Sequence, residues 1–412
     1  MKMNVIKRLS ASYLRKSKMM PKEKRCQSSR RPIAPLGSRI LTDPTKVFEH
    51  NMWDHMQWTQ EEEERAREKA TENSFVRVDP EDQDKYEREA SKYWNEFYKI
   101  HKNNFFRDRN WLFLEFPEIL PKGRKDQMNT EEKFWDHAKL NATNNCTNMS
   151  FPRMFEVGKD YCQNNLVDDL TSIQGLAYNK NQAEPVADNK HIKNCEQEPV
   201  KQESFPGSGA TYRILEVGCG AGNSAFPILK VMCNTPGAFL YCCDFASEAV
   251  ELVKSHLSYN SAWCSAFVHD VCDDALPYPF PDEILDVILL VFVLSAIHPD
   301  RMQTVVNRLA KLLKPGGMLL FRDYGRYDTS QLRFKKGHCL SENFYVRGDG
   351  TRVYFFTEDE VHNMFTQAGL IEVQNLVDRR LQVNRKKKVK MQRVWIQSKF
   401  QKPFQQPQNS HQ

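Results

Sequence analysis

The sequence has no apolar stretch long enough to cross a membrane: its most hydrophobic run, Ile284 to Ile297, is too short and contains Asp286. No membrane partner is expected. A secretory signal is also missing, because the basic start of the chain has no apolar core. The eleven cysteines never fall in a C-x-x-C spacing, which argues against a zinc site, and their odd number does not describe a disulfide framework. A reducing compartment is the simpler reading. His101, His137 and His191 lack ligand-like spacing, so no metal is expected. Charge of one sign is not in great excess either. At a net +6, where the charges sit matters more than their sum.

The informative stretch is Thr211-Tyr-Arg-Ile-Leu-Glu-Val-Gly-Cys-Gly-Ala-Gly222. Ile214, Leu215 and Val217 form an apolar run bounded by turn residues, the pattern of a buried parallel strand. Gly218, Gly220 and Gly222 follow at alternate positions, which lets the backbone turn sharply and a ligand approach the main chain. Ser224 to Met232 predicts a helix despite Pro227 in its first turn. Strand, glycine turn and helix N-terminus together describe a nucleotide-type cofactor site. A NAD-binding turn looks similar, and a glycine-rich turn with no ligand is the plain alternative. Glu216 discriminates between them. A carboxylate two residues before the first glycine repels a pyrophosphate but suits the cationic methionine part of S-adenosylmethionine.

Further strands fit a doubly wound sheet. Ala238 to Asp244 is a second apolar strand ending on an acid placed for a ribose diol. Ser247 to Ser258 reads as a helix with Leu257 on its apolar side. Ala266 to Asp270 is a third strand with an acid where an adenine amino group would arrive. Ile284 onward is the central fourth strand, and Met302 to Leu313 is an amphipathic helix. Lys314-Pro-Gly-Gly317 then leads into a fifth strand from Met318 to Phe321. Alternation of this kind means an α/β domain with a parallel sheet. Phe356 to Gly369 predicts another helix capped by Thr357, and two strands, Glu372 to Val383 and Val389 to Lys399, flank the basic turn Arg385, Lys386, Lys387 and Lys388. That turn is either solvated, an import signal, or a grip on an RNA backbone.

Residues 1–22 hold seven lysines and arginines and no acid, interleaved with apolar and hydroxyl residues. This is the composition of a mitochondrial transit peptide. A basic tail that binds RNA or directs nuclear import is the alternative. From 36 to 124 the chain is rich in aromatics and charge. Lys85 to Lys102 predicts one helix, on which Trp94 and Tyr98 lie four apart and share a face. That stripe is either ordinary core or a cover presenting its rings to the cofactor. Residues 125–208 are polar and aperiodic and read as a linker or mobile insert.

Within the arrangement from Arg39 to Gln401 stand several specific motifs: Ile-Leu-Glu-Val-Gly-Cys-Gly-Ala-Gly-Asn223, Cys-Asp-Phe245, Val-Phe-Val-Leu-Ser-Ala-Ile-His-Pro-Asp300, Leu-Lys-Pro-Gly316, Phe-Arg-Asp-Tyr-Gly325, Glu-Asn-Phe-Tyr-Val-Arg347 and Gly-Thr-Arg352. With these the chain strongly resembles the tRNA 3-methylcytidine methyltransferases of the methyltransferase-like family, and its basic leader and polar insert look most like the mitochondrial member. The resemblance implies a seven-stranded Rossmann-like class I S-adenosylmethionine-dependent methyltransferase at 209–401, a tail at 402–412, and an N-terminal helical extension at 36–124 that grips tRNA and covers the cofactor. It implies donor contacts at Trp94, Tyr98, Gly218, Asp244, Asp270 and Val291. It further implies methylation of cytidine N3 in the anticodon loop of threonine and serine tRNAs, with seryl-tRNA synthetase as a partner of some members. The compartment implied is the mitochondrial matrix, with cytoplasm or nucleus as alternatives.

The chemistry asks little of acid–base groups, because N3 of neutral cytosine already carries a lone pair. Its main demand is alignment of N3 with the sulfonium–methyl bond. N3 lies on the pairing edge, so the base must be unpaired or turned out of its stack. The product is cationic, which calls for an acid beside it. Asp323 is the candidate for that role, with Arg322 positioning the base or phosphate and Tyr324 stacking. The alternative is that Asp323 and Arg322 simply pair at a strand end. Arg347 and Arg352, with Arg385 to Lys388, are the candidate RNA contacts. A protein side-chain methyltransferase and a non-catalytic RNA-binding adaptor are the competing functions.

Overall fold

Helix starts follow from local chemistry. The computed structural model describes residues 37–121, 205–233 and 235–404. The basic leader, nearly all of the polar insert and most of the tail lie outside them. Thr59 accepts the Glu62 amide while the Glu62 side chain accepts the Thr59 amide, a capping box that starts α1 (Gln60–Ser74). The single helix expected from Lys85 to Lys102 is instead two, α2 (Pro80–Arg88) and α3 (Ala90–His101), broken where Glu89 leaves helical geometry. The break has a packing cause. Tyr86 on α2 packs with Leu340 and Val346, whereas Trp94, Phe97 and Tyr98 on α3 pack with Ala221, Ala246 and Ala249. One straight rod could not reach both clusters.

The main sheet contains β1 (Met52–Trp53), β2 (Tyr212–Val217), β3 (Ala238–Asp244), β4 (Cys264–Val268), β5 (Leu285–Val291), β6 (Leu313–Tyr324), β10 (Ile371–Asn384) and β11 (Val389–Gln401). Their order across the sheet is β1-β10-β11-β6-β5-β2-β3-β4. The pairs among β2 to β6 are parallel and those joining β6, β11, β10 and β1 are antiparallel. Seven strands are thus the expected sheet, with the two-residue β1 added at one edge. Strand order reverses between β2 and β5, and the crevice at their carboxyl ends is where such sheets bind ligands. The helices α4 (Ala225–Met232), α5 (Ser247–Lys254), α6 (Pro299–Leu312) and α7 (Glu358–Gln367) cover the faces, and a small sheet of β7 (Cys339–Ser341), β8 (Phe344–Val346) and β9 (Arg352–Tyr354) is inserted after β6.

Two details differ from the sequence reading. Helix α5 ends at Lys254, and Leu257, expected on its apolar side, is fully exposed. Strand β4 starts two residues earlier than expected and ends at Val268, so Asp270 stands on the loop after it. The segment from Glu342 to Arg347 contains β8, where Phe344, Tyr345 and Val346 are buried.

An ion-pair network joins the N-terminal segment to the C-terminal hairpin. Arg322 on β6 pairs with Asp378 and bonds Gln397, its neighbour in register on β11, while Trp111 and Trp395 flank its guanidinium at 5.1 and 4.7 Å. Asp378 also binds Arg380, which reaches Glu115 at 2.7 Å and Asp54 at 3.4 Å. Burial pushes the Asp378 carboxyl up, but Arg322 and Arg380 outweigh that and hold it below the usual range. Replacing Asp378 by Ala leaves two buried guanidinium groups short of a partner. Denaturant unfolding should show a loss of about 3–5 kcal/mol, and a loss below about 1 kcal/mol would contradict the network's role.

Candidate active site

The β2 strand delivers Glu216 and Val217 into the interior and hands the chain to the glycine turn. Gly218 and Gly220 have φ of 60° and 53°, values that side chains rarely adopt. A Cβ at Gly218 would lie 2.4 Å from Val293, and one at Gly220 would lie 2.4 Å from the Tyr98 hydroxyl. The turn is therefore clasped between the loop after β5 and helix α3. Asp244, at the tip of β3, holds it from beneath by accepting the Gly220 amide at 2.9 Å and the Ala246 amide at 2.9 Å. Burial pushes the Asp244 carboxyl up to about 6, against the pull of these amides.

A cavity opens above this turn. Its walls include Trp94 and Tyr98 from α3, Gly218, Asp244, His269, Asp270, Phe292 and Val293, with Glu87, Arg301 and Arg352 on the same lining. Trp94 and Tyr98 stack with centroids 6.0 Å apart. Helix α3 is fixed by polar bonds as well as rings: the Ser91 hydroxyl donates to the Phe245 carbonyl, and Asn95 accepts from the Glu248 amide. Phe292 has φ of 60°, a strained setting for an aromatic residue and one that recurs at functional positions. Its ring faces the Arg109 guanidinium at 5.5 Å and Tyr324 at 5.2 Å.

Five of the six donor positions implied by the resemblance line this cavity: Trp94, Tyr98, Gly218, Asp244 and Asp270. Val291 does not. Its side chain is packed in the core, and its carbonyl accepts from Arg109. Glu216 is placed differently from the expectation too, since it lies buried beneath the turn and off the cavity lining, with one carboxylate oxygen unpartnered. Burial pushes its carboxyl up to about 7, with Arg109 and the Ser224 hydroxyl acting in the opposite direction. The residues fit S-adenosylmethionine on two observations: an acid with a spare acceptor under the glycine turn, and a turn with no room for a side chain.

The proposed catalytic trio is not brought together on the cavity. Consecutive strand residues point to opposite faces, so Arg322 enters the network with Asp378 and does not position a base. Asp323 is completely buried and accepts the amides of Ser295 at 2.9 Å and Tyr324 at 2.9 Å. It therefore fixes the turn Leu294–Ala296, whose Ala296 lines the cavity. The two residues do not pair with each other either. Tyr324 touches Phe292 from behind. Of the expected RNA contacts, Arg352 lines the cavity and Arg347 lies 5.8 Å over Tyr324. The Arg385–Lys388 turn lies against residues 48 and 49, where Arg385 reaches the Glu49 carbonyl and Lys388 covers Phe48. Arg109 escaped the sequence reading. It bonds Ser224 and the Val291 carbonyl from 115 and 182 positions away, and no local pattern announces such contacts.

Because Glu216 titrates higher in the folded chain than in the unfolded one, its contribution to stability is whole below the ordinary carboxylate range. That contribution is lost as pH rises through about 7. The melting temperature of the ligand-free wild type, minus that of Glu216→Gln, should fall between about pH 5 and about pH 8; a difference that stays flat or rises contradicts the buried setting. Asp323→Asn, which cannot accept both amides equally, should lower stability by about 1–3 kcal/mol and reduce turnover. A variant with wild-type melting and turnover would contradict the positioning role.

A family model described as a methyltransferase domain matches residues 214–317. The tRNA N(3)-cytidine methyltransferase METTL2 of Gallus gallus is 51% identical over 371 residues, covering 90% of this chain and 95% of its own. METTL2B of Homo sapiens, of the same description, is 52% identical over 89% of this chain and 93% of its own. The human tRNA N(3)-cytidine methyltransferase METTL8, mitochondrial, is 59% identical over 73% of this chain and 99% of its own. Among solved structures, a SAM-dependent methyltransferase from Methanosarcina mazei is 18% identical, covers 47% of this chain and 93% of its own, and superposes with a TM-score of 0.36. At half identity over nine-tenths of its length, the chain belongs to the tRNA N(3)-cytidine methyltransferase family.

Proposed function

We propose that this protein transfers the methyl group of S-adenosylmethionine to N3 of a cytidine in the anticodon loop of tRNA, with threonine and serine tRNAs as substrates. One observation carries the reading: identity with relatives of this description runs through the N-terminal helices as well as the sheet, over 89–90% of the chain. The basic leader and the mitochondrial description of one relative favour the mitochondrial matrix. Seryl-tRNA synthetase is a proposed partner for the serine substrates.

S-adenosylmethionine supplies an electrophilic methyl group on a cationic sulfur. The chain's own residues then bind, orient and exclude water. Asp244 offers its carboxylate to the ribose hydroxyls, and Asp270 stands on the following loop for the adenine. Trp94 and Tyr98 close the cavity from α3, keeping water from a reaction in which charge moves from sulfur to the base. Phe292 presents its ring to the cavity as a surface for the extruded cytosine, held by Arg109 and Tyr324. No group need remove a proton, so turnover depends on alignment. Asp323 contributes through Ser295 by holding the turn that bears the adjoining wall.

Incubation of the full chain with labelled donor and total tRNA should give label as 3-methylcytidine. Asp244→Asn, which gives up an ionised acceptor, should lower donor affinity by about ten- to a hundredfold and the labelling with it. Label found in protein and absent from tRNA would overturn the reading. Nucleoside mass spectrometry of isolated threonine and serine tRNAs from cells lacking the protein should show which lose the modification.

A further inference from the structure

Glu87 stands between two arginines on the cavity wall. Its Oε1 lies 3.0 Å from Arg301 Nη1, and its Oε2 pairs with Arg352. Each arginine is held by a second bond, Arg352 to the Ala296 carbonyl at 3.2 Å and Arg301 to the Cys272 carbonyl at 2.9 Å. The carboxylate comes from α2, while the guanidinium groups come from α6 and β9, 214 and 265 positions further on. One negative charge therefore serves two fixed forks of N–H donors. Such forks match the oxygens of a phosphate as well as those of a carboxylate.

The trio is oddly built for a purely structural clasp. Helix α3, next to α2, already has neutral anchors in Ser91 and Asn95, and a buried ion pair adds little net stability. The exposures are also graded, with side chains at 7% for Arg352, 30% for Glu87 and 44% for Arg301. An incoming anion can thus meet Arg301 first. Resting on the RNA-methylating reading above, we propose that Arg301 and Arg352 bind a backbone phosphate of the RNA beside the target nucleotide, with Glu87 as an internal stand-in that the phosphate displaces. Displacement frees the end of α2 as the strand enters, so cavity access and RNA docking become one event.

The test uses the full chain and an anticodon stem-loop transcript, with binding read by fluorescence anisotropy. Glu87→Gln should tighten binding about three- to tenfold and steepen its salt dependence by about one phosphate contact. Arg301→Gln, at a half-exposed site, should weaken binding about tenfold and reduce the gain from Glu87→Gln. A scan of neutral methylphosphonate linkages through the loop should find one position whose neutralisation costs the wild type more affinity than it costs Arg301→Gln. Glu87→Gln that weakens RNA binding, or strengthens it equally with and without Arg301, would overturn the proposal, as would the absence of any coupled linkage. A chain that methylates tRNA without this coupling overturns the phosphate site alone. One that shows the coupling and transfers no methyl overturns the activity alone.

Discussion

Enclosure of a glycine turn among buried carboxylates is the constraint on which the site depends. Asp244 holds the Gly220 amide, Glu216 lies beneath with a spare oxygen, and the Tyr98 hydroxyl sits 2.4 Å from where a Cβ at Gly220 would be. Burial costs each acid free energy in its charged form and pushes both carboxyls up, with Asp244 adding a smaller push on Glu216. A cationic ligand offsets that cost, whereas an anionic one would add to it. The electrostatics of the fold thus favour a sulfonium donor over a dinucleotide.

The N-terminal segment is part of the site as much as the sheet is. Arg109 reaches Ser224 and faces Phe292, and its amide donates to the Asn223 carbonyl; Asn223 in turn donates to the Phe106 carbonyl. Further out, Asp54 and Glu115 enter the network of Arg322, Asp378 and Arg380. These bonds tie residues 37–121 to the last strands of the sheet. The cover over the donor is consequently as well anchored as its floor.

How much of this was legible depended on the distance over which each interaction acts. The parallel strands, the glycine turn and the Thr357 cap are local patterns, and a strand period or a capping box announces them in a few residues. Trp94 and Tyr98 were legible as a shared helical face, though not the break at Glu89, which answers to two separate hydrophobic clusters. Arg322, Asp323 and Tyr324 looked like one constellation because they are adjacent in sequence. Strand alternation separates them, sending Arg322 to the ion network and Asp323 to the Ser295 amide. Arg109 and Glu87 were beyond reach, since their partners lie more than a hundred positions away and neither sits in a motif.

Calorimetric titration of the full chain with S-adenosylmethionine tests most directly the selection of a cationic donor by buried carboxylates. Affinity should strengthen from about pH 5 to about pH 8 as Asp244 and Glu216 ionise, because the charged donor interacts best with the ionised acids. No detectable binding, or an affinity that weakens over that interval, would contradict the account.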